Sequence, residues 1–331
     1  MKAIVRTRYG PPDVLELKEV HKPTPGDHEV LVRVHAASVN PLDWHFLRGT
    51  PFLARVALGL LKPKVKILGA DFAGRVEAVG RNAERFQPGD EVFGDMYAFG
   101  LGSFAEYVCV TEDAPLVLKP TGITFEEAAA VPAAAVSALQ GLRDMGQIQP
   151  GQKVLVNGAS GGVGTFAVQI AKSYGAEVTG VCSTRNLDLV RSIGADQVID
   201  YTREDFTHDG KRYDLILDAV GNRSASDLKS ALHLKGICVI IGFTSTVLFL
   251  QHMFHGQRIS RAGSKKIVLM GEINSNARDL DFMKKLLETG NVVPVIDRRY
   301  TLSEVAEAIR YLEKGHARGK VVIDVEHHDK A

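Results

Sequence analysis

KVLVNGASGGVGTFAVQIAKSYGAEVTGVCSTR, residues 153–185, decides the reading of this chain. It runs from a short apolar strand through a turn containing Gly158, Ser160, Gly161, Gly162, Val163 and Gly164 into a helical segment, and then into a second apolar strand. A dinucleotide pyrophosphate needs a tight turn, a backbone it can approach closely, and a helix N-terminus whose free N–H groups face its charge. The turn can supply all three. Measured against G-x-G-x-x-G, the register is Ala159, Gly161, Gly164, so alanine stands where the first glycine belongs and the nearest glycine lies one residue upstream. The glycines alone would be weak evidence. The strand before them, the helix after them and the second strand at the proper interval carry the nucleotide reading against the alternative of a structural glycine-rich turn.

The residue that holds the ribose hydroxyls is expected about 20 residues beyond the glycine turn, which puts it at Ser183, following Cys182 at the strand end. An acidic residue there would accept hydrogen bonds from a free 2′-hydroxyl. Ser183, Thr184 and Arg185 instead offer hydroxyls and a guanidinium, which suit a 2′-phosphate dianion, so the cofactor expected is NADPH. The alternative is that Arg185 merely opens the next helix in solvent.

Downstream, apolar runs of strand length alternate with helical stretches: QVID, YDLILDAVG, a helical stretch to about Leu234, GICVIIG and KKIVLM. These runs lack strict alternation, as strands buried on both faces do, and the order predicts a parallel α/β sheet. Upstream, KAIVR, EVLVRVHAASV, AGRVEAVG, DEVFG and SFAEYVCV are short strands punctuated by Gly and Pro, predicting a compact β-rich domain. The segment FEEAAAVPAAAVSALQGLRDM, from residue 125, reads as helical. DLDFMKKLLETG, TLSEVAEAIRYLEKG and KVVIDV close the chain as helix, helix and strand, with a frayed charged tail EHHDKA.

At 331 residues the chain has the length of two domains, and 45% hydrophobic with 24% charged residues excludes disordered and membrane-embedded classes. Forty Lys plus Arg against 39 Asp plus Glu leave a net charge of +1, which argues against a nucleic-acid partner. No apolar run is long enough for a signal peptide or a membrane span, so no membrane insertion and a cytoplasmic location are expected. Cys109, Cys182 and Cys238 are widely spaced and never paired as C-x-x-C, which gives neither a disulfide framework nor a thiolate zinc site.

The glycine turn together with SVNPLDWHFLRG (38–49), LGADFAGRVEAVG (68–80), FQPGDEVFG (86–94), GSFAEYV (102–108) and ARGKVVI resembles the medium-chain dehydrogenase/reductase superfamily, and within it the zinc-free quinone oxidoreductase-like reductases. The resemblance covers nearly the whole chain. It implies an α/β protein with a Rossmann parallel-sheet domain at 123–270 and a GroES-like β-rich catalytic domain assembled from 1–122 and 271–331, with the active site where the two meet. It also implies a homodimer, with KIVLM as a pairing edge. Zinc members carry a Cys in the segment matching Ala37 to Asp43 and a G-H-E motif where this chain has Gly69-Ala70-Asp71, so Ser38 and Asn40 replace the thiolate side and no imidazole is present. The structural zinc lobe would match Asp95 to Val110, which contains only Cys109, and His252 and His255 in QHMFH lack further ligands. No metal is expected.

Without a Lewis acid, oxidising an alcohol is difficult, whereas a quinone, enal or enone supplies its own electron deficiency. The resemblance implies an NADPH-dependent oxidoreductase of the quinone oxidoreductase or alkenal/enone reductase type acting on such a small electrophile. It places Asn40 of the N-P-x-D motif beside the nicotinamide with Asp43 buttressing the loop; the alternative is a structural Asx-turn preceding a helix. Ser137 is assigned to the nicotinamide ribose or carboxamide, Tyr201 to the adenosine 2′-phosphate, and Val220, Gly221, Gly242 and Phe243 to strand ends under the cofactor. Arg318 and Lys320 stand as charges near the cofactor or as surface residues. Some enoyl reductases of the group carry a tyrosine proton donor where this chain has Pro51, followed by Phe52; His45, Tyr97 or a water are the substitutes. PFLARVALGLLKPKVKI and TVLFLQHMF read as the lining of an apolar substrate mouth or as a subunit contact. Two readings compete with the reductase: an enoyl-thioester reductase, with Lys62, Lys64 and Lys66 either a phosphate-binding patch or a solvated face, and a non-catalytic NADPH-binding interaction protein.

Overall fold

Strands buried on both faces need no alternation, and the 153–240 stretch behaves that way: Val154, Leu155 and Val156 are all buried, as are Leu215, Ile216 and Leu217. The computed structural model describes residues 1–50, 52, 55–271 and 273–325. In chain order its strands are β1 (Lys2–Val5), β2 (Glu16–Glu19), β3 (Glu29–Val39), β4 (Asp71–Val79), β5 (Glu91–Asp95), β6 (Tyr107–Thr111), β7 (Leu116–Leu118), β8 (Lys153–Asn157), β9 (Glu177–Cys182), β10 (Gln197–Asp200), β11 (Tyr213–Asp218), β12 (Leu232–Ile240), β13 (Lys266–Leu269), β14 (Ile296–Thr301) and β15 (Lys320–Asp324). The chain divides into two compact units.

One unit, Ala134–Asn274 with Thr289–Val293, is built on a six-stranded sheet in the order β10-β9-β8-β11-β12-β13, with every pairing parallel. The chain works outward from β8 to β10 and then returns to add β11 on the other side of β8. This is the doubly wound Rossmann order, and its reversal point lies at the carboxyl ends of β8 and β11. Leu155, Val181, Ile216, Leu228, Cys238 and Ile240 belong to one core cluster of this unit. Its entry and exit are tied together: the Gln140 side-chain amide donates to the Asn274 carbonyl at 2.7 Å and accepts from the Asn274 N–H at 3.3 Å.

The other unit, Met1–Ala133, Ser275–Glu288 and Pro294–Ala331, holds a seven-stranded sheet with the path β14-β15-β3-β4-β5-β7 and β6 paired to β3. The C-terminal β15 runs antiparallel to β3, so the two ends of the chain share one sheet. Val30, Val32, Phe72, Val92, Phe104, Val321 and Ile323 form its core. The helix Val305–Glu313 joins that core through Val305, Ala308 and Ile309, the i, i+3, i+4 face expected of an amphipathic helix.

Several elements differ from the sequence reading. The helical run from Phe125 is broken into Phe125–Ala129, Pro132–Gln140 and a π-helical turn Gly141–Met145, because Pro132 has no N–H to continue a helix and sits well in the first turn of a new one. The helical stretch predicted to about Leu234 stops at Ala231, and Leu232 already pairs with Tyr213 in the sheet. Strand β2 has no counterpart in the sequence pattern: all four of its residues, ELKE, are exposed, so it has no apolar period to read. Pro51 and the tail from residue 326 lie outside the described residues.

Candidate active site

The helix Gly162–Ser173 begins at Gly161, and no side chain caps it. Its first backbone bond runs from the Thr165 N–H to the Gly161 carbonyl at 2.9 Å, so the N–H groups of Gly162, Val163 and Gly164 precede the helical ladder. The glycines have separate jobs. Gly158 takes the left-handed turn (φ +84°), which explains the displaced register, since Ala159 then needs no special conformation. A Cβ on Gly164 would fall 2.0 Å from the Gly158 carbonyl oxygen, so turn and helix touch only because that atom is missing. A Cβ on Gly161 would meet only that same oxygen, at 3.4 Å, an ordinary contact. The protein's own packing does not require glycine at 161. The space left beside an uncapped helix end fits a dinucleotide pyrophosphate.

At the reversal point two residues that the sequence reading missed end the buried strands. The Asp218 carboxylate accepts from Asn157 Nδ2 (2.8 Å) and from the N–H groups of Val220 (3.0 Å) and Gly221 (2.8 Å), and burial pushes its pKa up. Gly221 would place a Cβ 2.0 Å from the Gly242 carbonyl oxygen, and Gly242 one 2.4 Å from that of Ala219, so the loops after β11 and β12 cross at glycine contact. Val220, Gly221 and Gly242 are thereby brought together. Phe243 follows them, exposed and packed on Phe249 with ring centroids 4.8 Å apart. The readable signal was a polar residue, Asn157 or Asp218, closing the apolar runs Val154–Val156 and Leu215–Leu217.

The ribose corner is more organised than three adjacent polar residues suggest. Asn186 donates to Ser160 Oγ (2.9 Å) and Ser183 Oγ (3.2 Å), so both serines receive a bond from within the protein. The Thr184 hydroxyl donates to Asp200 at 2.5 Å, and this bond and those from Thr202 hold the Asp200 pKa below the ordinary carboxylate range. Asp200 therefore spends its acceptors on the loop. Cys182 is buried, which pushes its thiol up to about 11 and keeps it protonated at neutral pH. Tyr201 is exposed beside this corner, its N–H bonded to the Cys182 carbonyl at 3.0 Å. Ser137 is buried in the helix Pro132–Gln140.

In the β-rich unit, pairing register builds a second cluster. Ser38 stands opposite Asp71 across β3 and β4, and Val39 stands opposite Val321 across β3 and β15, which brings Lys320 level with Asn40. The Lys320 ammonium lies 2.6 Å from Asn40 Oδ1 and 3.5 Å from Asp71 Oδ2, and Asn40 Nδ2 donates to the same Asp71 oxygen at 2.9 Å. The Ser38 hydroxyl (2.8 Å) and the Ala133 N–H (3.0 Å) complete the donors to Asp71. Asp71 is fully buried and Lys320 only 3% exposed. Lys320, read from sequence as a charge near the cofactor or at the surface, is a buried partner of Asn40.

Asp43 caps the Pro41–Arg48 helix. It accepts from the Asn40 N–H (2.7 Å) and from the N–H of Gly69 (3.2 Å), a residue held at φ +93° with Ser103 and Phe104 against its α-carbon. Burial raises the Asp43 pKa to about 7, against the opposing pull of those N–H groups, and Asp95, also buried, rises to about 6. His45 is stacked on Trp44 and 3.4 Å from Thr50 Oγ1, and burial lowers its pKa. Tyr97 packs on Phe46 at 5.8 Å between centroids. The Arg318 N–H donates to Asp297 at 2.9 Å. Asn40, Asp43 and Lys320 thus share one network, while the bonds of the His45 ring and the Arg318 N–H go to Thr50 and Asp297.

Residues 26–121 match the alcohol dehydrogenase GroES-like domain, and residues 193–323 match the zinc-binding dehydrogenase family. The chain is 32% identical to mouse NAD(P)H oxidoreductase RTN4IP1, mitochondrial, across 98% of this chain and 89% of that protein. It is 35% identical to tomato 2-methylene-furan-3-one reductase, across 98% and 79%. The solved quinone oxidoreductase of Coxiella burnetii superposes with a TM-score of 0.86 at 31% identity, covering 98% of this chain and 99% of that one. The chain belongs to the medium-chain dehydrogenase/reductase superfamily, among its quinone oxidoreductase-like members. As a member of that superfamily it takes a nicotinamide nucleotide, and the glycine turn, the crossed loops and the ribose corner are the residues that fit one. Among the described residues no group of three or more His, Cys, Asp or Glu could hold a metal ion, and His252 is buried while His255 is exposed. No described helix is long and apolar enough to cross a membrane.

Proposed function

We propose that this chain is a zinc-independent, NADPH-dependent reductase of quinones or α,β-unsaturated carbonyl compounds. The carrying observation is the Asn40 cluster: an amide fixed at both ends, next to a buried ammonium, suits an oxygen that gains negative charge better than a hydroxyl that must lose a proton to a metal. Relatives point the same way, among them an NADPH-dependent alkenal/one oxidoreductase of Arabidopsis thaliana at 35% identity. The glycine turn and the ribose corner would hold NADPH, and the chemistry it would supply is hydride transfer to the electron-poor carbon. Asn40 then hydrogen-bonds the oxygen on which charge collects, Asp43 fixes the loop that carries Asn40, and solvent provides the proton. Arg185 and the serine hydroxyls of the ribose corner favour the 2′-phosphate.

A cytoplasmic location and a homodimer paired through β13 belong to the same proposal. Strand β13 is the outer strand of its sheet, and an unpaired edge is a template for a second copy. The deciding experiment is a turnover screen of quinones, enals, enones, enoyl thioesters and simple alcohols with both nicotinamide cofactors. NADPH-dependent reduction of a quinone, enal or enone is expected. Brisk oxidation of ethanol or benzyl alcohol with no activity on any of those acceptors would overturn the reading, and activity confined to thioesters would replace it with the enoyl-thioester alternative.

A further inference from the structure

Asn40 has two carboxamide hydrogens and one carboxamide oxygen. The oxygen accepts from the Lys320 ammonium at 2.6 Å, and one hydrogen goes to Asp71, with nitrogen and oxygen 2.9 Å apart. The second Nδ2 hydrogen is left over. An amide whose oxygen is bound by a cation shifts electron density from nitrogen to oxygen, so its remaining N–H becomes a stronger donor. The bond to Asp71 works the other way, because a carboxylate accepting one hydrogen pushes density back onto the nitrogen. Distances decide between them. Four donors share the Asp71 carboxylate (Ser38, Asn40, Ala133 and, at 3.5 Å, Lys320), so its charge is spread, whereas the ammonium sits directly on Asn40 Oδ1. Burial of Asp71 and Lys320 keeps water from screening either effect.

We infer that Lys320 is a positioning and polarising residue. It acts through Asn40, locking the carboxamide in one orientation and strengthening the N–H that Asn40 presents to the substrate oxygen. The inference rests on the reductase reading for its substrate, but the polarisation itself does not. It also separates two roles that a lysine can take: Lys320 strengthens the substrate-facing donor and leaves the cofactor's affinity alone.

Two measurements test it. The first is a double-mutant cycle of Lys320→Met, Asn40→Ala and the pair, read as kcat and KM on quinones of graded electron affinity, with NADPH affinity and melting temperature measured alongside. Lys320→Met should lower kcat about ten- to a hundredfold, the range of a charge-assisted hydrogen bond, and most on the weakest electrophiles, with NADPH affinity unchanged within about twofold. In the Asn40→Ala background the same change should have almost no effect on kcat. Effects that multiply in the pair, or a loss equal across all acceptors, would overturn the inference. Lys320→Gln, which can still donate to the Asn40 carbonyl but carries no charge, stands in if Lys320→Met does not fold, and should keep the orientation and lose the strengthening.

The second is the side-chain 15N–1H spectrum of asparagine-labelled protein, in which the Asn40 signals are assigned by their loss in Asn40→Ala. Its amide protons should move upfield in Lys320→Gln or Lys320→Met. Unmoved signals would sink the inference whatever the turnover. Shifted signals in a chain that reduces no quinone or enone would leave the polarisation standing and fell the reductase reading instead.

Discussion

Asp43 is the residue at which the site's electrostatics become measurable. Its neutral form is favoured by burial, so the folded chain binds this proton more tightly than the unfolded chain does. Stability contributed by the group is therefore largest below the ordinary carboxylate pKa and declines as pH rises to about 7. Asp43→Asn stays neutral throughout, but its amide nitrogen cannot accept one of the two N–H bonds, from Asn40 or Gly69, at a cost of about 1–3 kcal/mol. Denaturant unfolding of both proteins at pH 5 to 8 should show this deficit shrinking as pH rises; a deficit constant across the range would refute the raised pKa. At the ribose corner Arg185→Ala should weaken NADPH binding about ten- to a hundredfold and NADH binding little, and equal losses in titration would show the corner misread. Asn40 and Asp43 were legible because their motif is contiguous. Their partners were not: Asp71 lies 31 residues from Asn40 and Lys320 lies 280 away, joined only by strand register. No local period encodes that.

Among elements, the turn between β8 and the helix Gly162–Ser173 holds a glycine that the fold requires, Gly164, and one that its own packing does not, Gly161. Gly164→Ala drives a methyl to 2.0 Å from a backbone oxygen that cannot rotate away, so it should lower stability by several kcal/mol or prevent folding. Gly161→Ala finds room, so its melting temperature should stay close to wild type while the dinucleotide binds at least tenfold more weakly, because the methyl occupies the pyrophosphate's approach. Thermal melts and NADPH fluorescence titration distinguish the two. Equal effects of the two substitutions on both readouts would mean that Gly161 is structural as well. This element is legible in sequence, since strand, turn and helix are local and their apolar residues are buried on every side. The segment after Phe125 is less legible: an alanine-rich run has helical composition throughout, and only Pro132 marks where one helix must end and another begin.

At the scale of the whole molecule, the parallel sheet could be read from alternation alone, but the return of the chain's last strand to its first sheet could not, because β15 and β3 pair across almost the full sequence. That long-range pairing also bears on metal chemistry. It delivers a cation made of protein, the Lys320 ammonium, to the cluster that includes Ser38, Asn40 and Asp71, the segments in which zinc members carry their ligands. A divalent ion there would meet a hydroxyl and a carboxamide, both poor donors for zinc beside thiolate or imidazole. Asp71 already receives four hydrogen bonds, one of them from the Lys320 ammonium at 3.5 Å, a charge of the same sign as the ion's. The purified protein should therefore carry far less than one zinc per chain, and prolonged treatment with a strong chelator should change neither the melting temperature nor the rate of quinone or enone reduction. Elemental analysis giving about one zinc per chain, with activity lost on chelation and restored by the metal, would show that Lys320 yields its place to an ion and that this cluster works as a metal centre after all.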